Sequence, residues 1–150
     1  MTLRDLEVHL PDHVGALADL AEALGRAGVS IEGGGVFMHD GVGVAHYLVD
    51  EPERAVRAVH DAGLGPASVR EVVLARLDQG TPGQLGAVAR RLADAGVRVR
   101  VQYSDHVGHL VLVLPDEERA SGVAVLRNWT VGGRIPDGEA SIRDNAFRGL

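Results

Sequence analysis

The sequence predicts an α+β protein in which one β-α-β-β-α-β unit occurs twice in tandem, each unit an antiparallel sheet covered by its helices. Three observations predict it. Residues 14–31, VGALADLAEALGRAGVSI, align without a gap on residues 82–99, PGQLGAVARRLADAGVRV. Gly15, Leu17, Ala21, Leu24, Ala27, Gly28 and Val29 meet Gly83, Leu85, Ala89, Leu92, Ala95, Gly96 and Val97 at one constant offset, and an internal repeat of this kind sets the architecture. Around each repeat the apolar spacing changes from two residues to three or four and back. Turn residues stand where such changes need a reversal.

In the first copy, Leu6, Val8 and Leu10 alternate with Glu7 and His9, a strand with one apolar face. Leu17, Leu20, Ala21 and Leu24 then form the stripe of a helix, and Gly28 stands where a left-handed residue ends it. Two strands follow, over residues 29–38 and 42–49, joined at His39-Asp40-Gly41 by an Asp-Gly hairpin signal. A second helix begins near Asp50-Glu51-Pro52, with proline in its first turn, carries Ala55, Val56 and Val59 inward, and ends at Gly63 or Gly65. Residues 68–72 close the copy as a strand.

The second copy repeats this order. Residues 69–77 form its first strand, and Leu85, Val88, Ala89 and Leu92 its helical stripe, ended by Gly96. Strands over residues 97–103 and 109–114 turn at residues 104–108. Asp116-Glu117-Glu118 places acidic residues at the start of a helix that runs to about Leu126, and Thr130-Val131 is the last strand. The domain division read from this pattern is 1–68 for the first repeat, 69–131 for the second and 132–150 for a C-terminal extension. The last strand of one copy and the first of the next merge or abut. The arrangement is the split βαβ, or ferredoxin-like, one.

Composition narrows the function. All 15 basic residues are arginine, against 21 acidic ones, for a net charge of −6. Such a chain lacks the basic footprint of a nucleic-acid binder, and an aromatic content of 3% offers no base-stacking platform. The absence of cysteine excludes disulfides, thiolate metal sites and cysteine nucleophiles. Residues 1–5 open no apolar run and no stretch approaches a membrane span, so the expectation is a cytoplasmic protein without membrane partners. No phosphate-binding G-K-[ST] loop and no G-x-S-x-G elbow occurs.

The residues between each first strand and first helix resemble the ACT domain, whose pattern is an apolar strand, then D-x-P-G-x-L or D-x-x-P-G-x-L, then a helix ending in A-G-V/I-N-I. The second copy supplies Asp78, Pro82, Gly83 and Leu85, and the first Asp12, Gly15 and Leu17. Residues 3–131 are covered. Val14 replaces the family's proline, Ser30 and Arg98 replace its asparagine, and Gln79-Gly80-Thr81 lengthens the second loop. The resemblance implies two tandem ACT-type modules and an amino-acid-binding regulatory role, with a small zwitterion as ligand, no cofactor, and a homodimer or a partner enzyme as context.

Carried onto this sequence, the ligand-lining positions are Asp12, His13, Val14, Gly15, Ala16, Leu17, Ser30, Ile31 and Glu32 in the first copy. In the second they are Asp78, Thr81, Gly83, Gln84, Leu85 and Tyr103. Elementary chemistry agrees with these types. Glycine lets a backbone approach a ligand or simply makes the turn, and helix N-terminal N–H groups receive carboxylates. Asp12 and Asp78 either meet an ammonium group or cap the helix.

Seven histidines are present, at 9, 13, 39, 46, 60, 106 and 109, with no metal-ligand spacing. Exposed polar side chains account for them. The alternative is an enzyme on the same scaffold, with His13, His46 and Asp12 as its acid–base group. A third reading is an assembly partner that has lost its ligand. Gly33-Gly34-Gly35 inside a strand marks a bulge or a close backbone approach, and the DHVG sequence at 12–15 and 105–108 reads as chance recurrence.

Overall fold

Leu6, Val8 and Leu10 lie on one face of the first strand and are fully or almost fully buried, the alternation expected of a sheet with helices on one side. The computed structural model describes residues 2–78, 80–127, 129 and 142–144. Its first unit runs β1 (Arg4–Pro11), α1 (Ala16–Arg26), β2 (Ile31–His39), β3 (Val42–Val49), α2 (Pro52–Asp61) and β4 (Ala67–Arg70). The second runs β5 (Val73–Arg76), α3 (Gln84–Asp94), β6 (Val101–Ser104), β7 (His109–Val113), α4 (Asp116–Arg127) and β8 (Ile142–Asp144). The strand orders are β2-β3-β1-β4 and β6-β7-β5-β8, with every neighbouring pair antiparallel. The fold is therefore α+β, with two ferredoxin-like βαββαβ modules.

The chain divides into two compact units between Glu71 and Val72, just past the Ser68/Val69 boundary read from the sequence. β4 and β5 belong to different sheets and abut in sequence without merging; the strand expected over 69–77 is confined to Val73–Arg76. The strand expected at Thr130-Val131 lies outside the described residues. The strand that pairs with β5 is β8, with Val73 opposite Asp144 and Ala75 opposite Ile142.

The repeated helices α1 and α3 occupy matching residues and end in the same way. Gly28 (φ 68°) and Gly96 (φ 73°) are left-handed. Val29 N–H donates to Leu24 O (3.0 Å) and Val97 N–H to Leu92 O (2.9 Å), while Gly28 and Gly96 donate to Gly25 and Ala93. This is a Schellman cap in both copies. Gly63 (φ 70°) ends α2, with Leu64 N–H on Val59 O.

The buried stripe of α1 is turned from the one the leucine spacing indicates. Ala16, Leu20, Ala23 and Leu24 face inward, while Leu17 and Ala21 face out. In α3, Val88 and Leu92 are buried and Leu85 and Ala89 are not. Leu17 and Leu85 fit a helical spacing to the apolar residues below them, but in α1 Ala16 and Ala23 complete the buried row and in α3 Val88 and Leu92 form it; sequence spacing cannot weigh an alanine against a leucine. Each core gathers its sheet face beneath two helices: Leu6, Val8, Leu10, Leu20, Leu24 and Val59 in one, Val73, Ala75, Leu92, Leu110, Leu112 and Leu126 in the other.

Glycine is required at Gly34. The β2–β3 register shifts between Ile31 and Gly33, a bulge at Glu32, and Gly34 has φ 120°. A Cβ there would lie 2.0 Å from the His46 carbonyl oxygen. Gly34→Ala is expected to destabilise the protein by about 2–4 kcal/mol, strain and overpacking together. Gly25→Ala, on the exposed side of α1 with nothing near its Cβ position, is expected to stabilise it by about 0.5–1 kcal/mol. Paired urea unfolding curves check both signs.

Candidate functional site

The loop leaving β1 is a tight reversal. His13 N–H donates to Pro11 O (3.1 Å), Asp12 N–H to Gly41 O (3.3 Å) and Ala16 N–H to His13 O (3.2 Å). Gly15 is the N-cap of α1 at φ 96°, and nothing lies within 4 Å of a Cβ built there. The backbone angle, not space, therefore demands glycine. The first intrahelical bond from this end is Asp19 N–H to Gly15 O (2.9 Å). The N–H groups of Gly15, Leu17 and Ala18 have no partner among the described residues and stand at the positive end of the helix. Beside them Val14 is fully exposed and Leu17 is 43% exposed.

The second copy builds the same end by other means. Asp78 organises its longer loop: its carboxylate accepts Gly80 N–H (3.1 Å) and the Thr81 hydroxyl, and its carbonyl accepts Thr81 N–H (3.1 Å). Gly83 is the N-cap of α3 at φ 89°. The N–H groups of Gly83, Gln84, Leu85 and Gly86 have no partner among the described residues. Leu85 repeats the exposure of Leu17, at 46%. Gln84 buries its Oε1 without a hydrogen-bond partner. Neither aspartate caps a helix; both N-caps are glycines without a side-chain bond.

Ser30, Ile31 and Glu32 lie elsewhere. β2 runs parallel to β1, so its start sits beside Arg4 and Val49, whereas residues 12–17 follow Pro11 at the Val42 end. An eight-residue strand of about 25 Å separates them. At that far corner Ser30 N–H donates to Asp50 Oδ1 (2.9 Å) and the Ser30 hydroxyl to Glu32 (2.6 Å). Arg98 occupies the matching place in the second unit: its N–H and Nε donate to Glu118 (2.7 and 2.8 Å). That contact holds the Glu118 carboxyl below the usual range. Tyr103, on β6 opposite Val111, lies toward the loop end of its sheet.

His13, His46 and Asp12 do not converge. His13 Nδ1 contacts Val14 O (2.9 Å) and is exposed, while His46 Nδ1 meets Asp5 Oδ2 (2.9 Å) on β1. Asp5 and Arg70 have no sequence signal of their own, and Glu7 is marked only by its place in the alternation of the first strand. Glu7 accepts from His9 (2.8 Å) and from Arg70 (3.5 Å), and the His9 bond leads the causes that keep its carboxyl below the usual range. The available signal was the alternation of Glu7 and His9 with buried residues; the partners depended on strand register.

The second DHVG has a defined role. Asp105 Oδ1 accepts Val107 N–H (3.1 Å) and His109 N–H (2.7 Å), and Oδ2 meets His109 Nδ1 (2.7 Å). It closes the β6–β7 hairpin, which the first DHVG does not do. Among the described residues no three His, Asp or Glu side chains could share a metal ion, and no helix is long and apolar enough to cross a membrane.

Two measurements check this geometry. Gly15→Ala and Gly83→Ala are each expected to cost about 1 kcal/mol, through the left-handed angle alone, seen as parallel shifts of the unfolding midpoint. Asp105→Ala strips three hydrogen bonds from a hairpin whose imidazole is buried, and is expected to cost about 2–4 kcal/mol.

No family model matches the chain, and no curated protein sequence matches it. Solved structures match in fold. A Bacteroides thetaiotaomicron protein is 20% identical, with a TM-score of 0.66 over 84% of this chain and 87% of its own. The ligand-free regulatory subunit of aspartate kinase from Thermus thermophilus is 15% identical, with a TM-score of 0.65 over 83% and 90%. Aspartate kinase from Synechocystis is 17% identical, with a TM-score of 0.63 over 92% of this chain but 27% of its own. At these identities the likeness is one of fold.

Proposed function

We propose that this chain is an amino-acid-binding regulatory protein, and that the loops at residues 12–17 and 78–85 receive the ligand. The observation that carries the reading is a construction present twice. A left-handed glycine opens each helix, N–H groups without a partner among the described residues follow it, and an exposed leucine stands beside them. The N–H groups suit a carboxylate, and Leu17 or Leu85 suits an apolar part of the same molecule. The unbonded Asp12 carboxylate suits its ammonium group, whereas Asp78 is already engaged within its loop. Ser30, Ile31 and Glu32 lie a strand length from residues 12–17 of their own unit and do not share a ligand with them there; a homodimer, or a partner enzyme, is part of the proposal. The fold shared with an aspartate kinase regulatory subunit supports the regulatory half of the reading. Binding orders the loops and biases contacts with the partner.

Calorimetric titration with each of the twenty amino acids tests it. Saturable heat with at least one is expected, weakened tenfold or more by Gly15→Val or Asp12→Ala. No heat with any of them at protein concentrations well above micromolar removes the amino-acid reading.

A further inference from the structure

We infer that Asp5 and His46 form a proton-operated latch between the two central strands of the first unit, tightest when the imidazole is charged. Asp5 and His46 lie outside the proposed ligand loops, on β1 and β3. Asp5 opposes Leu48 and His46 opposes Glu7 in the β1–β3 pairing, so the two side chains are diagonal neighbours. Asp5 has no exposed surface, the His46 side chain is 12% exposed, and their atoms are 2.9 Å apart. A buried carboxylate is tolerated only with strong partners. An ionised carboxylate only accepts hydrogen bonds, so Asp5 selects the imidazole form with its proton on Nδ1. A proton added at Nε2 converts that bond to a charge-assisted one.

The charged groups facing His46 among the described residues are Asp5 and Glu7 on β1 and Arg70 on β4. Two carboxylates favour the imidazolium, while Arg70 and burial oppose it, and the Asp5 hydrogen bond decides the balance upward. β3 also holds the edge strand β2, where Gly34 packs on the His46 carbonyl, and β1 leads directly into residues 12–17. A proton at this pair therefore acts on the middle of the sheet.

A group whose folded pKa exceeds its unfolded value stabilises fully below the unfolded value, near 6.5 for histidine, and loses that contribution as pH rises through the folded pKa. One such proton changes the folding constant by up to about tenfold per pH unit in that window. The full-length protein is followed by histidine-ring NMR and by urea unfolding from pH 5.5 to 9, alongside His46→Gln and Asp5→Asn. The expected result is a His46 ring that titrates above 6.5, and at a lower pH in Asp5→Asn. The wild-type folding constant falls more steeply with pH than that of His46→Gln. A wild-type ring titrating at or below 6.5, or parallel wild-type and His46→Gln stability curves, overturns the latch. Should Asp5→Asn not fold, those two comparisons decide the matter.

Discussion

The structure depends on a single constraint: each sheet has one apolar face, and the helix that covers it must start where the first strand ends and run back. Leu6, Val8 and Leu10 have to meet Leu20 and Leu24 within one short chain reversal. Each such side chain contributes about 1.5–3 kcal/mol when withdrawn from water, so the return path is strongly determined. A reversal that tight needs a left-handed residue at its exit, which Gly15 and Gly83 supply. The same geometry leaves N–H groups at the start of each helix without a partner among the described residues. The proposed binding loops are thus a by-product of core formation.

The two units use one backbone plan with different side-chain chemistry. In the first, the N–H after the helix cap is taken by the short Asp50 carboxylate; in the second, Glu118 from the first turn of α4 takes it and also engages the Arg98 guanidinium. The loop before α1 is held by backbone bonds, the one before α3 by Asp78. The hairpin of the first unit turns through Asp40 and Gly41 at positive φ, while that of the second is organised by Asp105 and His109. Equivalent backbone does not make equivalent sites: the Asp12 carboxylate is open where Asp78 is committed.

Central polar pairs follow a different logic from the loops. β1 carries Asp5, Glu7 and His9 opposite its core face, and each finds a charged or titratable neighbour, within β1 or across to β3 and β4. Such a row gives little net stability through its exposed members, whereas the buried Asp5–His46 contact is sensitive to the loss of either partner.

The amino-acid sequence by itself determined the repeat, the order of elements, the left-handed glycines that end both first helices and the Asp-Gly hairpin, because each of these is a local property of a few neighbouring residues. Gly33-Gly34-Gly35 likewise announced a bulge. Tertiary structure alone decided that Leu17 and Leu85 face out, since in α1 Ala16 and Ala23 complete the buried row and in α3 Val88 and Leu92 form it without Leu85. It also decided that Ser30, Ile31 and Glu32 lie a strand length from residues 12–17, and that His46 answers to Asp5 and not to His13 or Asp12. Those outcomes depend on which strands pair and in which register, and register is set by the packing of a whole face, which no single stretch of chain encodes.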